Sequence, residues 1–149
     1  MHKIITLIKS FFSNNHIRKT PLKIAIVDDH ALFRKAIRIM VESLGHFVIF
    51  EGFNGKDVIE QMDKGHLPDI VLVDVYMPGM DGFETALWLK KNYPTVKVLA
   101  LGLEKDENVI IKLLKNGANG YILKTVDPQE LNSAIRLVHE KGFYYSKEI

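Results

Sequence analysis

The chain has 149 residues, which is enough for one well-packed domain and short of two. Hydrophobic residues make up 47% and charged residues 26%, as in globular proteins, and the absence of cysteine excludes disulfides, thiolate metal sites and cysteine nucleophiles. The net charge is +2, but residues 1–21 carry four basic side chains and no acid. The remainder is slightly acidic and offers no broad positive surface for nucleic acid.

Residues 1–21 form a basic leader with apolar side chains at helical spacing. Met1, Ile4, Ile5, Ile8 and Phe12 fall on one stripe, which is compatible with a short amphipathic helix or with a disordered start. A folded leader would more readily dock on the rest of the chain or on a second copy than on lipid. No apolar run approaches the roughly 20 residues needed to span a bilayer, so we expect no membrane span. The absence of cysteine is compatible with a reducing cytoplasm, and we expect a cytoplasmic location.

From Leu22 onward, short β-rich runs alternate with amphipathic segments. Five runs rich in Ile, Val, Leu or Phe are predicted to be strands, at 22–27, 47–53, 70–75, 96–101 and 120–123. Five helices are predicted to follow them, one ending at Gly45, three over 55–64, 83–92 and 106–116, and one beginning after Asp127. Connections of this length make parallel crossovers, so the pattern predicts an α/β fold with helices on both faces of a parallel sheet.

Charged side chains gather at the carboxyl ends of the predicted strands, where open parallel sheets bind their ligands. Asp28 and Asp29 follow the first strand, Asp74 lies within the third, and Lys124 follows the fifth. Burying Asp74 in its apolar run is costly unless it is paired or bound to a metal. Three close carboxylates repel one another and one lysine compensates a single charge, so the cluster favours a hard divalent cation such as Mg2+.

Three motifs at these strand ends resemble those of the receiver domain of two-component response regulators. They are Val27-Asp28-Asp29-His30, the run Asp-Val-Tyr-Met-Pro-Gly-Met-Asp-Gly at 74–82 and the run Gly-Ala-Asn-Gly-Tyr-Ile-Leu-Lys at 117–124. The resemblance covers residues 23 to about 143 and is greatest to receivers that precede a LuxR-type helix-turn-helix. It implies a flavodoxin-like, doubly wound five-stranded parallel sheet in the order 2-1-3-4-5 with five helices. Residues 22–143 would form the receiver, and 144–149 the start of a linker or tail.

The resemblance implies a role for each charged residue. Asp74 would accept a phosphoryl group from a sensor histidine kinase, and Lys124 would contact that group. Asp28, Asp29, Asp74 and the backbone carbonyl of Tyr76 would hold Mg2+. We expect no enzyme with a separate substrate, but a phosphoacceptor that takes part in its own phosphotransfer and slow autodephosphorylation.

Four positions bear on how such a site would work. Gly102 stands where the family has Ser or Thr, so we expect atypical coupling between phosphorylation and conformation. Tyr121 matches the family's aromatic switch position, with an ordinary amphipathic tyrosine at a sheet edge as the open alternative. Tyr76 and Glu104 lie where the family varies the access of hydrolytic water, and we expect the bulky Tyr76 to slow autodephosphorylation.

Two functions remain open. The first is a phosphorylation-dependent signalling receiver, and the second is a receiver-like interaction module that acts without phosphorylation, which Gly102 favours. A sensor histidine kinase is the expected partner, and a homodimer is possible. No helix-turn-helix is present in this sequence, so we expect the chain itself to contact no nucleic acid, whereas a DNA-binding output domain could follow in a longer protein.

Overall fold

The computed structural model describes residues 3–5 and 20–145. Residues 3–5 are helical, whereas the remainder of the predicted leader before Thr20 and residues 146–149 of the predicted tail lie outside the described residues. Within the described part of the chain, no helix has the length and apolar character that a bilayer crossing requires.

The strands of the described chain form one parallel sheet in the order β2-β1-β3-β4-β5-β6. Their bounds are β1 Lys23–Val27, β2 Phe47–Gly52, β3 Ile70–Asp74, β4 Lys97–Gly102, β5 Gly120–Leu123 and β6 Tyr144–Tyr145. The predicted order of the first five strands is confirmed. The sixth strand is additional, because the two tyrosines at the start of the predicted tail pair with Gly120 and Tyr121 of β5.

Five helices connect these strands, at α1 Ala31–Ser43, α2 Gly55–Asp63, α3 Gly82–Asn92, α4 Glu107–Lys115 and α5 Pro128–Lys141. Four of them begin after a residue whose side chain accepts a backbone N–H of the first turn, namely Asn54, Asp81, Asp106 and Asp127. These caps satisfy amide donors that the helix itself leaves unpaired. The helix α1 begins after His30, whose side chain makes no such bond.

The helices cover both faces of the sheet. Buried side chains of α1 and α5 pack on one face, among them Ile37, Val41, Leu131, Ile135 and Val138. Buried side chains of α2, α3 and α4 pack on the other, among them Val58, Met62, Phe83, Leu89 and Leu113. The central strands are therefore buried on both sides, which explains why they are continuous apolar runs rather than alternating ones.

The end of β3 packs tightly against the start of α3. A Cβ added to Gly82 would lie 2.8 Å from the Cα of Val75 and 3.0 Å from its carbonyl oxygen, so a larger residue would have to displace the backbone. Asp81 accepts the N–H of Glu84 at 2.9 Å, and the Glu84 carboxylate accepts the N–H of Asp81 at 3.3 Å. This reciprocal cap fixes the turn that follows Asp74.

Candidate functional site

The sheet topology brings four predicted site residues to one edge. Asp28 and Asp29 follow β1, Asp74 ends β3 and Lys124 follows β5. Asp28 is fully buried, Asp74 is 5% exposed and Asp29 is partly exposed. The Nζ of Lys124 donates to Oδ2 of Asp28 at 2.8 Å and lies 3.2 Å from Oδ2 of Asp74. One ammonium is thus shared by two buried carboxyl groups.

The electrostatics of this cluster favour a further cation. Burial raises the pKa of Asp74 from 3.8 to about 6, the charge of Asp28 adds to the rise, and Lys124 offsets part of it. Burial by itself lowers the pKa of Lys124, but its hydrogen bond to Asp28 and the charge of Asp74 outweigh that effect, so the pKa is raised. At neutral pH a charged lysine therefore faces more than one carboxylate.

The cluster also offers a suitable donor set for a divalent ion. One ligand atom from each of Asp28, Asp29, His30 and Asp74 lies within 4.8 Å of the others. A single ion with oxygen ligands at about 2.0–2.6 Å can bridge atoms at that spacing. Oδ1 of Asp29 is buried and has no hydrogen-bond partner in the described chain, which leaves an acceptor available at the cluster. Three carboxylates, one of which has this free acceptor, fit Mg2+, a hard ion that prefers oxygen.

His30, the residue directly after the acid pair, is a neighbour of the acids and is not among the predicted site residues. Its main-chain N–H donates to Oδ1 of Asp28 at 2.8 Å, and its Nδ1 lies 3.3 Å from that oxygen and 3.5 Å from Oδ1 of Asp29. The side chain is 68% exposed, so it stands at the rim of the cluster. Its position directly after the acid pair is the signal that could have identified it.

Two residues of α1, Arg34 and Phe33, contact the acid and lysine side of this sheet edge. Neither was predicted from the sequence to be a site residue. The NH1 group of Arg34 donates to the carbonyl of Asp28 at 2.6 Å, and its Nε donates to Glu51 of β2 at 3.2 Å. The Nζ of Lys124 lies 4.6 Å from the centroid of the Phe33 ring, within the range of a cation–π contact. Helical periodicity marks Phe33 as a core residue, so the sequence carries no signal for its contact with the lysine.

A cavity of about 310 Å³ opens beside the phosphoacceptor candidate. Six predicted residues line it, namely Asp74, Tyr76, Gly102, Glu104, Tyr121 and Lys124. The ring of Tyr76 is 64% exposed and meets the ring of Phe83 edge-on, with 6.0 Å between the centroids. Tyr76 and Glu104 thus border the space next to Asp74 in which a water molecule could approach.

Tyr121 fills the space beside Gly102. The tyrosine is 2% exposed, and its hydroxyl donates to the main-chain carbonyl of Glu104. A Cβ placed on Gly102 would lie 2.5 Å from Cζ and 2.6 Å from Cε2 of this ring, and nearer still to the phenolic oxygen. Because β6 pairs with β5, Tyr121 does not lie in an edge strand. The space that a side chain at position 102 would occupy is therefore taken by the aromatic ring of Tyr121.

Comparisons with known proteins agree with this architecture. The family model of the response regulator receiver domain matches residues 24–136. The chain is 34% identical over 137 residues to the transcriptional regulatory protein DegU of Brevibacillus brevis, covering 91% of this chain and 58% of that protein. It is 34% identical over 131 residues to the nitrate/nitrite response regulator protein NarP of Escherichia coli, covering 87% and 60%. The chain thus spans about three fifths of these relatives.

Solved structures show the same fold. A LuxR-family two-component response regulator from Aurantimonas sp. SI85-9A1 matches with a TM-score of 0.77 and 26% identity, covering 85% of this chain and 90% of that one. The signal receiver domain of the putative response regulator NarL from Mycobacterium tuberculosis matches with a TM-score of 0.75 and 28% identity, covering 82% and 98%. The predicted fold class is therefore confirmed, and the chain belongs to the response regulator receiver family.

Proposed function

We propose that this chain is a phosphorylation-dependent signalling receiver in which Asp74 accepts a phosphoryl group from a sensor histidine kinase. The observation that carries the proposal is the meeting of Asp28, Asp29, Asp74 and Lys124 at one edge of the sheet. Membership of the receiver family supports the same assignment.

The environment of Asp74 suits it to act as the nucleophile. Its pKa of about 6 leaves the carboxyl group mainly ionised at neutral pH. One carboxylate oxygen would form a bond to the phosphorus of the donor while the bond from phosphorus to the leaving atom breaks. The leaving atom, a ring nitrogen in a phosphohistidine donor, keeps the electron pair and takes up a proton. Lys124, 3.2 Å from Asp74, is placed to contact a phosphoryl oxygen as a point charge.

The acids and one main-chain group would hold the metal. Asp28, Asp29 and Asp74, with the backbone carbonyl of Tyr76, would bind Mg2+, which when bound neutralises charge on the phosphoryl oxygens. Arg34 holds the carbonyl of Asp28 at 2.6 Å, and so orients the acid pair without entering the cluster itself. Removing Arg34 would loosen the cluster through the backbone rather than through a lost ligand.

The biological setting is part of the proposal. The protein would turn over no separate substrate, but would take part in its own phosphorylation and slow autodephosphorylation. Its curated relatives are named as regulators of transcription and of the nitrate response, which supports a cytoplasmic location. A DNA-binding output region in a longer protein is also part of the proposal, since the relatives extend beyond the matched part and one of them is named as a transcriptional regulator. A homodimer remains a prediction from the sequence.

A second candidate is an interaction module that acts without phosphorylation. Gly102 favours it, because the glycine offers no hydroxyl to a phosphoryl group and the adjacent space already holds the Tyr121 ring. In that case the acids and Lys124 would have no role in phosphotransfer.

Intact-mass spectrometry separates the two candidates. The full chain is incubated with Mg2+ and either phosphoramidate or acetyl phosphate, and we expect the mass of one added phosphoryl group. Asp74→Asn should abolish the adduct, and Asp63→Asn, which changes an exposed aspartate of α2, should retain it. An adduct that persists in Asp74→Asn would contradict the assignment, whereas no adduct from either donor would support the second candidate.

A further inference from the structure

The carboxyl half of β4 has small side chains on the face that meets Tyr121. Ala100 pairs with Tyr121 in the register of β4 and β5, and Gly102 follows two residues later on the same face. The two small residues leave a slot along β4, and the Tyr121 ring leans along it toward Gly102. The ring therefore occupies the space that these two small residues leave.

The polar end of the ring is also satisfied in this position. The Tyr121 hydroxyl donates to the carbonyl of Glu104, in the segment 103–106 that connects β4 to α4. Burial raises the pKa of Tyr121, so the phenol keeps the proton that it donates. At the other end of the segment, Asp106 accepts the N–H groups of Asn108 at 3.0 Å and Val109 at 3.3 Å. Segment 103–106 is therefore anchored at both ends, by Tyr121 and by the cap of α4.

A side chain at position 102 and the inward ring exclude each other. The distances from a Cβ at Gly102 to Cζ and Cε2 of Tyr121 are 2.5 and 2.6 Å, well inside van der Waals contact. The ring is the stiff part of the tyrosine side chain, so it cannot yield by a small rotation of a terminal group. Any residue other than glycine would have to move the ring out of the slot or move the strands apart.

Position 102 also offers no side chain to a group on Asp74. A ligand shifts a conformational equilibrium only through interactions that differ between the two conformations. A phosphoryl group on Asp74 has no side chain at 102 to attract, and the slot that a moving ring would enter is already filled. On these grounds packing, rather than the state of Asp74, would set the position of segment 103–106.

We propose that Gly102 is a positioning residue that keeps Tyr121 in the slot and holds segment 103–106 in one position, whether or not Asp74 carries a phosphoryl group. The regulatory meaning of this inference rests on the proposed function. The surface formed by that segment, in which Leu103 is 77% exposed, is then the same before and after phosphoryl transfer, so a phosphorylation-dependent signal would have to leave the receiver through another surface.

Nuclear magnetic resonance of the full chain with labelled tyrosine rings tests this directly. The Tyr121 signals are assigned by their loss in Tyr121→Phe. In the wild type we expect them to be those of a buried ring and to stay unchanged when Mg2+ and beryllofluoride, a mimic of the phosphoryl group, are added. In Gly102→Ala, which adds only the Cβ, we expect them to move to the position of an exposed tyrosine such as Tyr76, without any mimic.

If the clash between the new Cβ and the Tyr121 ring lowers the stability of Gly102→Ala, a double-mutant cycle still tests the inference. Gly102→Ala should lower the urea midpoint in the wild-type background and have a much smaller effect in Tyr121→Ala, where the slot is empty. Equal effects in both backgrounds would overturn the inference. So would a Tyr121 signal that stays buried in Gly102→Ala, or one that shifts in the wild type on addition of the mimic.

The proposed function can fail separately. If beryllofluoride leaves the amide signals next to Asp74 unchanged, phosphoryl acceptance at Asp74 is contradicted. The Gly102→Ala comparison and the double-mutant cycle use no mimic, so they decide the packing inference in either case.

Discussion

Replacing Asp74 with asparagine should stabilise the metal-free protein at neutral pH, although it removes the proposed phosphoacceptor. The carboxyl group is almost completely buried beside the carboxylate of Asp28, and one shared lysine compensates it incompletely. Asparagine has nearly the same shape and no charge. The substitution therefore removes an unfavourable ionisation while leaving the packing of β3 intact.

The pKa of Asp74 sets the magnitude and the pH window. A rise from 3.8 to about 6 corresponds to about 3 kcal/mol of folding free energy. Between these two pH values the folded state keeps a proton that the unfolded state has lost, so wild-type stability falls as the pH rises through this window. The advantage of Asp74→Asn should therefore be near zero below the lower pKa and about 3 kcal/mol above the upper one.

Urea unfolding in the presence of EDTA, at several pH values between about 4 and 8, measures this difference. Asp63→Asn is the matched control, because it makes the same chemical change at an exposed position of α2. Added Mg2+ should stabilise the wild type and have little effect on Asp74→Asn, since the ion would relieve the same repulsion.

Two outcomes would refute the reasoning. A variant less stable than the wild type at neutral pH would mean that the attraction of Asp74 to Lys124 exceeds its repulsion from Asp28. A stability difference independent of pH would mean that the carboxyl group does not carry the raised pKa.

Three further predictions concern other residues. Lys124→Met leaves Asp28 and Asp74 without their shared cation and should lower the urea unfolding free energy in EDTA by about 3 kcal/mol or more; an unchanged value would show that the pair contributes nothing. Burial, assisted by the charge of Arg136, lowers the pKa of His46, so the unfolded state protonates first and thermal stability should fall as the pH drops below 6.5. His46→Gln should remove this decline while His66→Gln, at an exposed site, retains it. Tyr76→Ala opens the cavity beside Asp74 and should accelerate loss of the phosphoryl group in intact-mass time courses; slower loss would contradict the proposed shielding.

The sequence predicted the architecture and the charged residues of the site from local patterns. The alternation of β-rich runs with amphipathic segments can be read from residues that are close in sequence. The length of the connections then restricts the sheet to parallel crossovers. Because parallel strands end at the same edge, Asp28, Asp29, Asp74 and Lys124 could be grouped before any contact was known. Residue type at a strand end was sufficient for that step.

Other features depended on contacts between distant residues. β6 consists of Tyr144 and Tyr145 alone, and two residues carry no detectable periodicity. Arg34 and Phe33 lie on α1, whose apolar periodicity predicts only that one face of the helix packs on the core. Their contacts with Asp28 and Lys124 depend on how α1 lies against the sheet, which the sequence does not show.

The packing of Tyr121 against Gly102 is the clearest case of a feature that depends on contacts between distant residues. The sequence identified both positions and left open whether the tyrosine was an ordinary sheet-edge residue. Which way the ring points depends on the register of β4 against β5, the small side chain of Ala100 and the carbonyl of Glu104. Element types follow from local sequence because they depend on backbone and side-chain periodicity, whereas the occupant of a slot between strands is decided by the volume that all its neighbours leave.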